Sequence, residues 1–293
     1  FAVLDIREDR SRARRTRAGY TTLEYGAFVS YRWQNDDWAP SYLPTPEDYE
    51  LGRAQIVSRG YQAVVGDAWA RLSGPWGRVE AEGAVVGGRF DEASLVPGVF
   101  LREPVESLQW GFAVESDFAV ARVLSFGLDF GAASGDPAPG FGAFPGVTAG
   151  PGQPGDLDGA QLAPPFDLRT DNFRFHPNYR VDRILFRELV GTVTDAFYLR
   201  PHGKLTLLSH PSGRLNLSLA LVTSWALESP STPGDGTALG LEIDPTLSYE
   251  NDEGWSIVAA YAVLVPFGGL SNPTLGLDAQ PAQLLRCSLW VTL

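Results

Sequence analysis

Apolar and polar residues alternate along this chain with a period of two, in segment after segment of 10–15 residues, and few folds accept that pattern at that length. The clearest case is 215–227. Leu215, Leu217, Leu219, Leu221, Trp225 and Leu227 point one way, interrupted by Thr223, while Asn216, Ser218, Ala220, Val222, Ser224 and Ala226 point the other. At 23–33, Leu23, Tyr25, Ala27, Val29, Tyr31 and Trp33 oppose Thr22, Glu24, Gly26, Phe28, Ser30 and Arg32. Segments 239–249 and 282–293 repeat the pattern, and weaker versions lie at 61–73, 78–90, 106–116, 122–131, 193–208 and 255–265, with a fragment at 1–7. The reading is all-β, with about ten to twelve strands, eleven if the fragment at 1–7 counts.

Strand length then selects among all-β folds. Strands of soluble domains are typically about 5–6 residues long, whereas a membrane-crossing strand needs about 9–11. Aromatic residues near strand ends (Tyr31 and Trp33, Trp225, Tyr249, Trp255) suit interfacial girdles. The expected fold is a transmembrane antiparallel β-barrel in the bacterial outer membrane, as a single domain over 1–293. Such barrels alternate short periplasmic turns with long outer loops. Counting back from a periplasmic C-terminus, 250–254, 210–213, 117–121 and 74–77 fall inside; 267–281, 229–237, 132–192, 91–104 and 35–60 fall outside. Every short connection lands on one side and every long one on the other.

Residues 180–190 look like a strand at first sight, but Val181, Ile184, Leu185 and Leu189 recur at helical spacing. The segment is expected to be a short helix within the long outer loop 132–192, folded towards the lumen. Before it, 132–171 holds 15 Gly or Pro in 40 residues and no periodicity. Eleven strands is an odd number where bacterial barrels are usually even. Either 1–19 lies outside the wall, leaving ten strands, or further strands lie upstream; the second is the favoured expectation, since the chain opens on Phe1 inside a strand-like pattern and contains no Met.

Composition excludes other classes. An apolar fraction of 44% with 34 aromatic residues is too rich for disorder. Cys287 is the lone cysteine, so no intrachain disulfide exists. No window approaches about 18 uninterrupted apolar residues, the length of a membrane-crossing helix. A net charge of −12 argues against general nucleic-acid binding. Of 23 basic residues only Lys204 is a lysine, a bias that suits phosphate-bearing lipid and lipopolysaccharide. Arg10, Arg12, Arg14, Arg15 and Arg17 form a basic run placed on the periplasmic side, against membrane phosphates or an acidic partner.

The block Asp171-Asn172-Phe173-Arg174-Phe175-His176-Pro177-Asn178-Tyr179-Arg180-Val181-Asp182, continuing through Arg187-Glu188, Gly191-Thr192-Val193-Thr194-Asp195-Ala196 and Tyr198 to Pro201, is distinctive. With Tyr25–Gln34, Asp67-Ala68-Trp69 and Val79–Gly83, it resembles a delta-proteobacterial, myxobacterial-type family of outer-membrane barrels of poorly defined function. The likeness covers most of 20–205. Members look longer at the N-terminus, and more distantly they are similar to alginate-export-type porins. The resemblance implies an outer-membrane pore-like protein with a barrel of roughly eighteen strands.

Catalysis and metal binding find little support. His202 with Ser209 or Ser212 lacks distinctive spacing, and His210-Pro211-Ser212-Gly213 reads as a turn. Asp156 and Asp158 lack the spacing of a calcium loop. No enzyme activity, cofactor or metal is expected. On the polar face, Glu24, Arg32, Asp67, Arg71, Arg78, Glu80, Glu82, Glu115 and Asp129 either set solute preference in a wet lumen or form a structural salt-bridge ladder. Arg174, Arg180, Asp182, Arg183, Arg187 and Glu188 form a constriction if the long loop folds inward, and a solvated outer helix if it does not. Two functions follow as expectations. One is a porin-like channel for polar solutes or polysaccharide. The other is a non-transporting barrel that anchors a periplasmic or envelope partner in a motility or polysaccharide-secretion complex.

Overall fold

A computed structural model describes residues 2–3, 14–15, 17–38, 56–92, 104–138, 140–141, 169–251 and 254–291. The chain is all-β: one antiparallel sheet in which every strand pairs with its sequence neighbour. The strands are β1 (Ala2–Val3), β2 (Thr22–Trp38), β3 (Ile56–Gly74), β4 (Gly77–Phe90), β5 (Val105–Ala121) and β6 (Leu124–Ala133). They continue with β7 (Ala196–His210), β8 (Gly213–Ala226), β9 (Ala238–Asn251), β10 (Trp255–Pro266) and β11 (Ala282–Val291). Ten of these are long, and β1 is a two-residue bridge to Ala27 and Gly26. Among the described residues β11 pairs only with β10 and β1 only with β2, so the sheet has two edges.

The two faces of the sheet differ, one exposing aliphatic side chains and the other burying polar ones. On β8, Leu217, Leu219 and Leu221 are exposed while Asn216, Ala220, Val222 and Ser224 are buried. Val29 on β2 is 73% exposed and Leu285 on β11 is 72% exposed, whereas Glu242 on β9 is 1% exposed. Ladder register carries this parity across the sheet: Glu24 opposes Arg71, Arg71 opposes Glu80, and Glu80 opposes Glu115. Asp129 then opposes Arg200. The polar residues thus share one face, because a period of two leaves no other choice in a continuous antiparallel ladder.

Short turns join β3–β4, β5–β6 and β7–β8 at one end, as expected. The β5–β6 turn is Arg122-Val123, not 117–121. Phe118 stacks on Trp76 at 6.0 Å and on Phe126 at 5.2 Å, and these aromatic pairs keep β5 in the ladder to Ala121. Strands β2 and β3 also outrun the apolar alternation, because Asp36 and Asp37 remain paired with Ser58 and Val57. Pro201 and Pro245 lack an N–H, and the pairing of β7 with β8 and of β9 with β10 lapses beside them.

Residues 169–195 fold back over the polar face. Thr170 N–H donates to Glu106 O, Leu108 N–H to Asp171 Oδ1, and Phe175 N–H to Val193 O. The expected helix at 180–190 is a single π-turn, Leu185–Leu189. Its wider i→i+5 bonds, Leu189 N–H to Ile184 O and Val190 N–H to Leu185 O, turn Leu189 out of the apolar stripe. Leu189 is accordingly exposed, while Val181, Ile184, Leu185 and Phe186 are buried against Val193, Tyr198, Leu239 and Leu264. This is the main buried cluster, and it packs between the segment and β7–β10. On β5, Gly111 is required beneath the segment, since a Cβ there would meet the Phe173 ring at 2.5 Å. The basic residues Arg10 and Arg12, the acids Asp156 and Asp158, and most of the loops 35–60 and 91–104 lie outside the described residues.

Candidate functional site

Two charged systems occupy the polar face. Across β2–β5, Arg71 forms a bidentate pair with Glu80 at 2.7 and 2.8 Å and approaches Glu24 at 3.8 Å. Arg78 reaches Glu80 at 3.3 Å, Glu115 at 3.6 Å and Asp117 at 3.2 Å. Five of the expected luminal residues therefore form one ladder. Arg32 stays apart near the strand end, 3.3 Å from Gln34 and over the Tyr61 ring at 5.7 Å. Asp67, Glu82 and Arg174 line a cavity of about 280 Å³ walled by Phe112, Phe173 and Phe175.

The second system is centred on Asp129. It accepts hydrogen bonds from Ser116 N–H at 3.1 Å and Arg200 Nη1 at 2.5 Å, and lies 3.3 Å from His202 Nε2. Gly127 makes room for this: a Cβ there would sit 2.5 Å from the imidazole of His202. His202 is thus a neighbour of Asp129. The His–Ser contact that does occur is in the exposed β7–β8 turn, where His210 Nδ1 lies 2.9 Å from Ser212 Oγ.

Between this system and the covering segment lies a cleft of about 410 Å³. Arg180, Arg183 and Arg187 line it from the segment, and Arg200, His202 and Lys204 from β7. Arg183 donates to Thr246 Oγ1 at 2.9 Å. Among the described residues Arg180 and Lys204 make no ion pair. Partial burial, then Arg180 and Arg286, pull the Arg187 guanidinium below its usual range, with Glu188 opposing. Glu188 itself leans on Arg286 at 3.2 Å. The segment folds onto the polar face of the sheet and brings Arg180, Asp182, Arg183 and Arg187 to one opening.

Three carboxylates hold the segment: Asp182, which belongs to the sequence-based set, and Glu242 and Asp195, which do not. Glu242 accepts three successive backbone N–H groups, from Arg183 at 2.8 Å, Ile184 at 2.9 Å and Leu185 at 3.0 Å. Asp182 Oδ2 accepts from Phe186 N–H at 2.8 Å. Burial, then the adjacent Glu242 charge, push the Asp182 carboxyl well above the usual range, against bonds from the Phe186 and Arg187 N–H groups. Tyr179 meets Tyr198 hydroxyl to hydroxyl at 2.6 Å, and burial raises the Tyr179 phenol. Asp195 closes the segment by accepting from Leu227 N–H, Glu228 N–H and Ser231 Oγ. Glu242 and Asp244 carried one sequence signal, two acids on the polar parity of β9; nothing local showed that a loop 60 residues upstream would cover them.

The site is thus a cationic cleft beside a docked segment, suited to retaining anionic or hydroxylated solutes. No known family model matches the chain, and no curated protein matches it.

Proposed function

We propose that this chain is an outer-membrane porin-like barrel whose polar face lines a solute path, narrowed by the segment 169–195. The observation carrying the proposal is the inverted sheet: aliphatic side chains exposed on one face, charged side chains gathered and covered on the other. A soluble sheet would bury the leucines instead. Aromatic residues bound the apolar face at both strand ends. Tyr249 stacks near Trp255 opposite Leu215, and Trp225 stacks on Phe197 at the far end of β8. From Leu215 to Trp225, at about 3.4 Å per residue and a tilt of about 40°, the band is about 25 Å tall, the height of an outer-membrane apolar belt. The likeness of the 171–201 block to delta-proteobacterial barrels adds to this reading.

The cationic cleft predicts the preference of the path. Reconstituted protein in planar bilayers under a salt gradient should give a reversal potential favouring anions. The triple substitution R180Q/R183Q/R187Q should reduce that preference several-fold or more, since fixed charge at a constriction sets selectivity. Silence of both the intact protein and a variant lacking 150–190 would sink the channel reading.

The packed cluster of Phe186, Leu185, Ile184, Val193, Tyr198 and Leu264 supports a second reading, a sealed barrel that anchors an envelope assembly. Stoichiometric co-purification of a periplasmic partner, together with that double silence, would establish it.

A further inference from the structure

Glu242, Asp182 and Asp244 gather where the covering segment meets β9: Glu242 binds the backbone next to Asp182, Asp182 and Asp244 line the same cleft, and all three residues are buried. Glu242 has its hydrogen bonds: three backbone N–H groups of the segment converge on it. Each aspartate leaves one oxygen over: Asp182 Oδ2 accepts from Phe186 N–H, but among the described residues Asp182 Oδ1 and Asp244 Oδ1 are buried with no hydrogen-bond partner. A buried, unpartnered carboxylate oxygen costs far more than a buried protonated carboxyl. We propose that this trio is a proton-operated latch, which holds the segment 182–186 on the sheet while the aspartates are protonated and releases it when they ionise.

The surroundings decide the direction. The covering segment presents Arg180, Arg183 and Arg187 to the cleft. Strand β7 contributes Arg200, His202 and Lys204, and Asp117 faces the cleft from β5. Asp129 on β6 already engages Arg200 and His202. Arg286 on β11 is engaged with Glu188. Strands β8 and β10 place only Val222, Ala220 and Leu264 opposite Glu242 and Asp244, so no charge reaches the trio from those sides. With both aspartates protonated, one negative charge remains, on Glu242, where the three N–H groups stabilise it. Ionisation of the aspartates adds two more charges in the same buried contact. Arg183, whose guanidinium is bonded to Thr246, and Arg200, bonded to Asp129, are already engaged. Docking is then opposed by like-charge repulsion and desolvation.

Hydrogen exchange of the Arg183, Ile184 and Leu185 amides in the detergent-solubilised protein tests the latch without reference to transport. After correction for intrinsic rates, protection should fall as the pH is raised from acid to alkaline, by up to about tenfold per pH unit for each proton released. Asp182→Asn and Asp244→Asn, one on the segment and one on the strand, should each keep the three amides protected at the alkaline end. Glu242→Ala should expose them at every pH. Wild-type protection that does not change with pH, or Asn variants that follow the wild type, would overturn the proposal. Its consequence for gating rests on the channel reading, and conductance should rise over the same range. pH-dependent exchange with a silent bilayer would remove the channel and leave the latch standing.

Discussion

Asp195 shows how one residue joins two distant parts of the chain. It sits at φ +46°, in the left-handed region that only Gly, Asn and Asp visit readily, and that turn aims its carboxyl at Leu227, Glu228 and Ser231. Burial pushes this carboxyl up to about 7 from an ordinary value of 3.8, against those hydrogen bonds. A folded carboxyl that keeps its proton to a higher pH than the unfolded one makes folding favour acid. Its stabilisation is present below about 4 and is lost as pH rises to about 7. Asp195→Asn tolerates the same backbone and cannot ionise. Its Tm relative to wild type should therefore rise across that window and level off above it, by roughly 2–4 °C for each kcal/mol released. A constant Tm difference from acid to neutral pH would show that Asp195 is not the titrating group.

At the scale of elements, the covering segment is held by shape as well as by hydrogen bonds. Phe173 and Phe175 meet edge to face at 5.7 Å, and Phe175 meets Tyr179 at 5.2 Å, so the rings form a row. The first two rings lie directly on the backbone of Gly111. Gly111→Val on β5 should lift Phe173 off the sheet. Its cost should be about 1–3 kcal/mol, the usual range for overpacking a tight contact. The expected readout is faster proteolysis within 169–195, with β-strand circular dichroism unchanged. Loss of the whole sheet signal would mean that the segment and the strands form one cooperative unit.

At the scale of the whole molecule, the inverted sheet makes a parity test possible. Leu219 and Ser218 are neighbours on β8, midway between its aromatic ends, and they face opposite sides. Leu219→Arg should impair assembly into lipid by about 2–4 kcal/mol, the cost of a cation at the middle of a barrel's outer face. Ser218→Arg, which faces the cleft, should assemble normally. Equal tolerance of both arginines in a vesicle folding assay would contradict an outward lipid-facing surface.

Much of this architecture is legible in the chain because its rules are local. Alternation with a period of two marks the strands and sorts their faces, as in β8 and β9. Turn residues such as Gly74-Pro75-Trp76-Gly77 and His210-Pro211-Ser212-Gly213 separate them. Antiparallel neighbours then force Glu24, Arg71, Glu80 and Glu115 onto one face, and the register of the turns sets them opposite one another. What a local rule cannot express is decided by tertiary contact. The stripe at 181–189 holds a π-turn where Glu242 gathers the N–H groups of Arg183, Ile184 and Leu185 and the core claims Leu185 and Phe186. Likewise, Arg180 and Arg187 line a cleft, rather than a solvated loop, because residues 60 positions downstream anchor the segment beside them. Parity reaches only as far as the next strand, whereas a buried carboxylate selects its partners by desolvation and geometry, whatever their distance along the chain.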